Sequence, residues 1–255
     1  MNLLELKISS AHGVQYVKNL EKATLTPLFR GRPEIDTNIS IQELQRAETI
    51  CPSKAINAKM GILNLGKCVF CKECEFVTQG KIRFTNDYKI ATNDPDCLLI
   101  RKEISSNIRL NENAIRKEIR SYFGRALKLR QVSSGGDNSN ELELYAAGNV
   151  NFDMGRFGIE FVASPRHADG LVITGPLTKN MAGALNICYE AMPSPKLLIL
   201  AGTDAISGGM FADSEAIDRS FLTKYKADLY VPGNPVHPLT FINGLLYLLG
   251  RNAME

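Results

Sequence analysis

The chain has 255 residues, 44% of them hydrophobic and 22% charged. That balance excludes wholesale disorder and predicts one large domain or two modest ones. With 30 Lys and Arg against 27 Asp and Glu, the formal net charge is +3, too even for the electrostatic footprint of a nucleic-acid-binding protein. The longest apolar runs, Leu197–Ala201 and Leu245–Leu249, fall far short of the ~20 residues a membrane-spanning helix needs. No basic residue precedes Lys7 and no long apolar stretch follows it, so the expectation is a soluble, cytoplasmic chain without a signal peptide.

In chain order, residues 1–29 form a mixed amphipathic lead that cannot bury a core alone, and they are expected to dock on another surface. Residues 30–94 read as short helix, Cys-Pro, short strand, turn, cysteine loop and short strand. Within them Ile62–Leu65 and Lys81–Thr85 alternate as half-buried strands do. Residues 95–112 read as a linker. Basic residues are frequent from Arg101 to Arg130, but Glu103, Glu112 and Glu118 interleave with them, which suits a solvated or partner-facing helix. Asn111 or Asn113 is expected to cap a helix that runs to about Phe123 and carries Ile115 and Ile119 on one face.

From residue 113 to 255 the pattern alternates strand and helix. KLRQV and GIEFVAS are candidate strands, and DGLVITG, KLLILAG and ADLYVPG are apolar runs of the kind buried in a parallel sheet. MAGALNICYEAM, AIDRSFLTKY and TFINGLLYLLG are the helices. The expected fold is α/β, a doubly wound, mostly parallel, flavodoxin-like sheet preceded by a small α+β unit. Ligands of such sheets sit beyond the carboxyl ends of the strands. Here that places SSGGDNSNELEL, TGPLTKN, AGTDAISGGMF and VPGNPVHP at the candidate crevice as loops. None of them matches a dinucleotide-binding or Walker loop.

Six cysteines occur, and four have ligand spacing: Cys51, followed by Pro52, then Cys68, Cys71 and Cys74 in CVFCKEC. Two residues between successive cysteines let one loop present three thiolates to a compact inorganic core, and the fourth must come from elsewhere. Two-cluster ferredoxins use C-x2-C-x2-C-x3-C-P runs in which the last cysteine completes the other cluster. Cys51-Pro52 therefore reads as the closing element that joins Cys68, Cys71 and Cys74 around one [4Fe–4S] cluster, which makes residues 30–94 a small ferredoxin-like unit. Four thiolates also suit a tetrahedral zinc ion, although zinc ligands usually arrive as two separated C-x2-C pairs.

The second cluster of such a pair would need cysteines at positions 41, 44, 47 and 78. Those positions hold Ile41, Leu44, Ala47 and Thr78, the first three suited to filling space. Cys97 and Cys188 have no ligand-spaced neighbour and read as ordinary thiols.

The strings FGIEFVASPRHADGLVITGPLTKNM, AGTDAISGGMF and VPGNPVHP resemble the small subunit of membrane-bound energy-converting [NiFe] hydrogenases, including formate hydrogenlyase. They are similar also to the homologous complex I subunit that carries its terminal cluster. The resemblance covers about Ser121 to Arg251. FRGRPEI, CVFCKEC and IRFTND resemble the two-cluster ferredoxin-like subunit of the same complexes, so the chain looks like a fusion of two neighbouring subunits. In that family a proximal cluster is held by cysteines whose positions match Asp137, Asn140, Asp204 and Asn234 here, and none of these carries sulfur.

The resemblance implies an electron-transfer subunit with one [4Fe–4S] cluster in a membrane-associated respiratory or hydrogenase-related complex. The alternative is a scaffolding subunit that has lost the electron relay. Implied partners are a hydrogenase-like or complex I-like large subunit, membrane-arm subunits and another iron–sulfur donor. The implied location is peripheral, on the inner face of the membrane. Arg166, His167 and Asp169 lie in a segment that, in the family, faces the large subunit, and an arginine–aspartate contact there reads as structural. No Ser/His/Asp or paired-carboxylate constellation stands out, and no catalytic residue is assigned.

Overall fold

Reciprocal capping boxes start the first two helices. Asn2 and Glu5 close one on α1 (Leu3–His12), and Ser40 and Glu43 close one on α2 (Ile41–Ile50). The computed structural model describes residues 2–13, 15–102 and 108–251. Residues 103–107 of the expected linker, Glu103 among them, and residues 252–255 of the C-terminal unit lie outside the described residues.

Helix α1 buries none of its side chains, leaving Leu3 79% and Leu4 65% exposed. The rest of the lead is a strap over the larger core. The Val17 amide donates to Asn151 O, Leu20 is fully buried, and Leu20 O accepts from both the Tyr88 hydroxyl and Asn243 Nδ2.

The cysteine-bearing part is two similar strand–helix–strand halves. The first is β1 (Pro33–Ile35), α2 and β2 (Ile56–Asn57). The second is β3 (Ile62–Asn64), α3 (Glu73–Val77) and β4 (Ile82–Phe84). The outer strands β1 and β4 pair antiparallel, as do the inner strands β2 and β3. Lys81 Nζ, just before β4, bonds both Glu43 carboxylate oxygens and so ties the second half to the cap of α2.

A third strand, β5 (Leu99–Arg101), adds antiparallel to β3. The stretch read as a linker therefore contributes to this sheet. The reason is burial: Ile100 faces the same core as Leu63 and Leu65, and Leu65 N bonds Leu98 O.

Beyond it, Asn111 caps only a 3-10 turn, Glu112–Ala114, and α4 (Lys117–Phe123) begins later than expected. The break falls where the Arg116 guanidinium reaches Asp228 and Lys196 O. The chain then forms β6 (Leu127–Ser133), α5 (Ser139–Ala146), β7 (Ile159–Phe161), β8 (Gly170–Thr174), α6 (Lys179–Glu190), β9 (Leu197–Ala201), α7 (Thr203–Ser207), α8 (Ser220–Lys224), β10 (Leu229–Val231) and α9 (Pro238–Leu248).

The five strands lie in the order β10-β9-β8-β6-β7, all parallel. This is the expected α/β, flavodoxin-like arrangement, with its topological switch between β6 and β8. Alternate residues of each strand serve opposite faces. Leu129, Val172, Ile199 and Val231 pack with α4, α5 and α9, whereas Leu171, Ile173, Leu198 and Leu200 pack with α6 and α8.

Other stretches also differ from expectation: AGTDAISGGMF, read as loop, contains α7. NELEL, read as loop, is the body of α5, because Leu144 and Ala147 are buried in the core that also holds α9. AIDRSFLTKY is helical only from Ser220. The backbone before it is engaged elsewhere, with Asp218 N bonding Leu177 O and Ala216 O accepting from Lys179 N.

Helix α9 is buried on nearly every side, from Pro238 to Leu248 with only Tyr247 partly exposed. His237 caps it through Nδ1, which accepts from Leu239 N at 3.2 Å, between the rings of Phe29 and Phe152. Burial pushes its imidazole pKa down to about 4.

Phe241 is 0% exposed, so Phe241→Ala is expected to cost about 3–5 kcal/mol of stability, read from urea unfolding. The unfolded His237 takes up a proton near pH 6.5 and the folded one only near pH 4. Its contribution to stability is therefore complete above about pH 6.5 and is lost as the pH falls toward 4, by no more than about 3 kcal/mol and less after solvent screening. His237→Asn, which keeps a capping side chain, should remove that part of the pH dependence in parallel unfolding titrations.

Candidate metal centre

Cys51, Cys68, Cys71 and Cys74 line one small cavity, together with Ala55, Ile56, Leu63 and Phe84. Cys51 ends α2, and its N–H closes the helix onto Ala47 O and Glu48 O. Pro52 cannot continue the helix, and Lys54 takes a left-handed φ of 53°. The chain thus turns back so that Ala55 N–H donates to Cys51 Sγ at 3.2 Å.

The other three cysteines come from the loop between β3 and α3 and from α3 itself. Phe70 and Lys72 both adopt left-handed backbone, with φ of 55° and 71°. Such residues at alternate positions turn successive N–H groups to one side, the arrangement by which backbone cups an anion. Phe70 N–H donates to Cys68 Sγ at 3.3 Å. Cys68 and Cys74 are buried, while Cys51 and Cys71 reach the half-buried rim.

As free thiols the two buried cysteines, Cys68 and Cys74, resist ionisation. Burial pushes Cys68 up, with further contributions from the charges of Cys74, Cys51 and Cys71. Burial, then the charges of Cys71 and Cys51, raises Cys74 to about 12. Four thiolates could share this apolar space only around a compensating cation.

Among the described residues no three His, Cys, Asp or Glu side chains stand close enough to hold a single ion. A tetrahedral zinc would need sulfurs about 3.8 Å apart, given Zn–S bonds of about 2.3 Å. A cubane takes one thiolate at each of four irons, so its sulfurs stand farther apart. The donor set, the apolar lining and the inward amides fit a group of that kind.

The counterpart positions, Ile41, Leu44 and Ala47 in the first half and Thr78 in the second, take a different form. Thr78 ends α3 as Cys51 ends α2, each amide bonding back four residues, to Cys74 O and Ala47 O. Leu44 and Ala47 are buried in the core, but Ile41, expected to fill space with them, is 53% exposed as the first residue of α2. Where the second half has a cysteine loop followed by a short helix, the first half is helical throughout. Thr78 is 1% exposed, and its hydroxyl bonds Cys74 O at 2.7 Å and accepts from Ile82 N at 3.1 Å.

The larger sheet gathers a second polar group beyond its strand ends. Asn140 is buried, and its Oδ1 accepts from Val236 N at 2.9 Å. Gly202, with φ of 98°, lies so close that a Cβ there would come within 2.6 Å of the Asn140 amide. Asp137 accepts from the Ser139 amide and hydroxyl, which hold its carboxyl below the usual range. Asp204 is 8% exposed, and burial and the nearby Asp137 raise its pKa. Asn234 is half-buried in the loop that supplies Val236.

Arg166 and His167 occupy a short turn at the opposite, amino end of the sheet. There Asp169 bonds Lys128 N at 2.8 Å. Cys97 packs partly buried against the small core, and Cys188 lies on α6 near Arg130.

Two residues that spacing could not announce hold the cysteine loop from outside. Thr203 Oγ1 donates to Cys68 O, and Arg30 Nη1 donates to Phe70 O, each at 2.7 Å. Their partners are backbone carbonyls 135 and 40 residues away in sequence, so no local motif marks them.

Residues 138–248 match the family described as NADH ubiquinone oxidoreductase, 20 Kd subunit. The four clustered cysteines lie outside that match. The membrane-bound hydrogenase subunit mbhJ of Pyrococcus furiosus is 33% identical over 132 residues, which cover 52% of this chain and 79% of the relative. An NADH-quinone oxidoreductase subunit of Heliobacterium modesticaldum is 45% identical over 43% of this chain, and its counterpart in Clostridium beijerinckii is 43% identical over 42%. The matches span 63% and 64% of those two relatives, a little under two thirds of their length. Among solved structures, a chain of the membrane-bound sulfane sulfur reductase, an archaeal respiratory membrane complex, is similar at 25% identity and a TM-score of 0.44. That match covers 50% of this chain and 70% of the other. The identity to mbhJ over most of that relative's length, with the match at residues 138–248, makes this chain a member of the NADH ubiquinone oxidoreductase 20 kDa subunit family.

Proposed function

We propose that this chain is an electron-transfer subunit whose Cys51, Cys68, Cys71 and Cys74 hold one [4Fe–4S] cluster within a membrane-associated respiratory or hydrogenase-related complex. The observation that carries the reading is the convergence of these four side chains on one apolar cavity, with amides of Ala55 and Phe70 already donating to two of the sulfurs. A cluster bound there supplies a reversible one-electron couple. The chain's own residues do the rest. The cysteines anchor it, Ala55, Ile56, Leu63 and Phe84 exclude water from it, and the amides offset negative charge on sulfur.

In this reading the chain fuses a ferredoxin-like unit to a small-subunit-like α/β unit that has lost its own cluster. Asp137, Asn140, Asp204 and Asn234 stand where the second set of ligands would be. The partners are a hydrogenase-like or complex I-like large subunit, membrane-arm subunits and another iron–sulfur protein as donor. No helix among the described residues is long and apolar enough to cross a membrane, so attachment at its inner face would run through those partners.

The hydrogen-bonded state of Asn140 favours a second reading, in which the α/β unit bridges neighbouring subunits and the remaining cluster only staples the small module.

Iron and acid-labile sulfide analysis of the purified chain, in whatever complex it copurifies with, is expected to find both elements in equal amounts, together with an EPR signal that appears on reduction and disappears on reoxidation. Cys71→Ser should abolish that signal. Zinc in place of iron, or iron that no mild reductant alters, would overturn electron transfer. An intact Cys71→Ser complex with unchanged turnover would select the bridging role.

A further inference from the structure

The loop that carries Cys68 and Cys71 is gripped at two carbonyls by side chains from outside the cysteine-bearing halves. Thr203 is the first residue of α7 and is fully buried, and its own amide donates to Gly233 O at 2.8 Å. Its position is therefore set by the carboxyl ends of β9 and β10, not by the small module. From there Thr203 Oγ1 donates to Cys68 O at 2.7 Å. From the segment just before β1, Arg30 Nη1 donates to Phe70 O at 2.7 Å.

A trans peptide unit is planar, with its C=O and N–H pointing opposite ways. The unit containing Cys68 O carries the N–H of Val69, and the unit containing Phe70 O carries the N–H of Cys71. Drawing both oxygens outward turns both N–H groups back toward the cavity. Among the described residues, neither amide donates to another group of the chain. Phe70 N–H, between them, already meets Cys68 Sγ.

We propose that Thr203 and Arg30 are positioning residues that raise the reduction potential of the cluster by aiming the Val69 and Cys71 amides at its sulfurs. The inference rests on the cluster assignment made above. Neither side chain needs to touch sulfur, because each acts through the peptide it holds. N–H dipoles directed at sulfur favour the more negative, reduced state, and the Arg30 cation adds to this from the same side. The α/β unit, whatever it has lost, thereby tunes the site that remains.

The test is a potentiometric titration followed by EPR on the full chain, with iron and sulfide content measured for each variant. Thr203→Val and Arg30→Gln should keep the parent's iron and sulfide but shift the midpoint negative. The expected shift is about tenfold in the ratio of reduced to oxidised form at fixed ambient potential, or about 59 mV for a one-electron couple. Thr203→Ser, which restores the hydroxyl, should return to the parent value, and Arg30→Lys should recover most of the shift. Should Thr203→Val fail to keep its cluster because Cys68 O is left unpaired, Arg30→Gln against Arg30→Lys decides the matter. Unmoved potentials at full cluster content would overturn this inference alone. A parent chain without iron and sulfide would overturn the cluster assignment and this inference with it.

Discussion

The hydrogen bond from the Thr203 hydroxyl to the Cys68 carbonyl joins the two cores of this protein at its candidate metal centre. On one side it ends at the start of α7, directly after a parallel sheet whose central strands β8 and β9 are buried on both faces. On the other it ends in a loop with two left-handed residues, a conformation that side chains rarely adopt unaided. The same junction is supported beside it, where Thr92 and Tyr230 exchange backbone bonds and Ala91 packs on Gly244. The small module therefore does not hang from a tether. Its cysteine loop is shaped partly by the larger unit.

The two halves of the small module contrast a cysteine loop with its apolar counterpart. In the second half, the Phe70 amide of the loop donates to Cys68 Sγ, and helix starts only at Glu73. In the first half, which starts helical at Ile41, the Glu43 and Leu44 amides bond the hydroxyl and the carbonyl of the capping Ser40. Backbone donors removed from water must find acceptors. In α2, where leucine and alanine stand at these positions, the Ser40 cap and the helix supply them.

The group beyond the larger sheet follows the same rule with different means. Asn140 Oδ1 accepts from Val236 N, Asp137 accepts from Ser139 N at the start of α5, and Gly202 leaves room for the Asn140 amide. The loops remain ordered because polar side chains bond backbone groups there. Asp204 is the exception in kind, a buried carboxyl whose ionisation is disfavoured by burial and by Asp137.

Much of this was legible in the sequence. The five strands of the larger sheet announced themselves as apolar or alternating runs, because a parallel sheet covered on both faces tolerates little else. CVFCKEC and Cys51-Pro52 marked the four cysteines that line one cavity, because the spacing and the break after Cys51 are written in the local sequence. The sequence did not reveal that NELEL is helical, since its two buried positions gain meaning only once α9 lies across them. Nor did it reveal that residues 99–101 complete the small sheet, or that Ile41 would be pushed to the surface by an extended helix. By itself the sequence determined which residues could bind and which strands would be buried, because both depend on local chemistry. Tertiary structure alone decided how Thr203 and Arg30 reach the cysteine loop, because their partners are carbonyls that every residue possesses and only folding singles out.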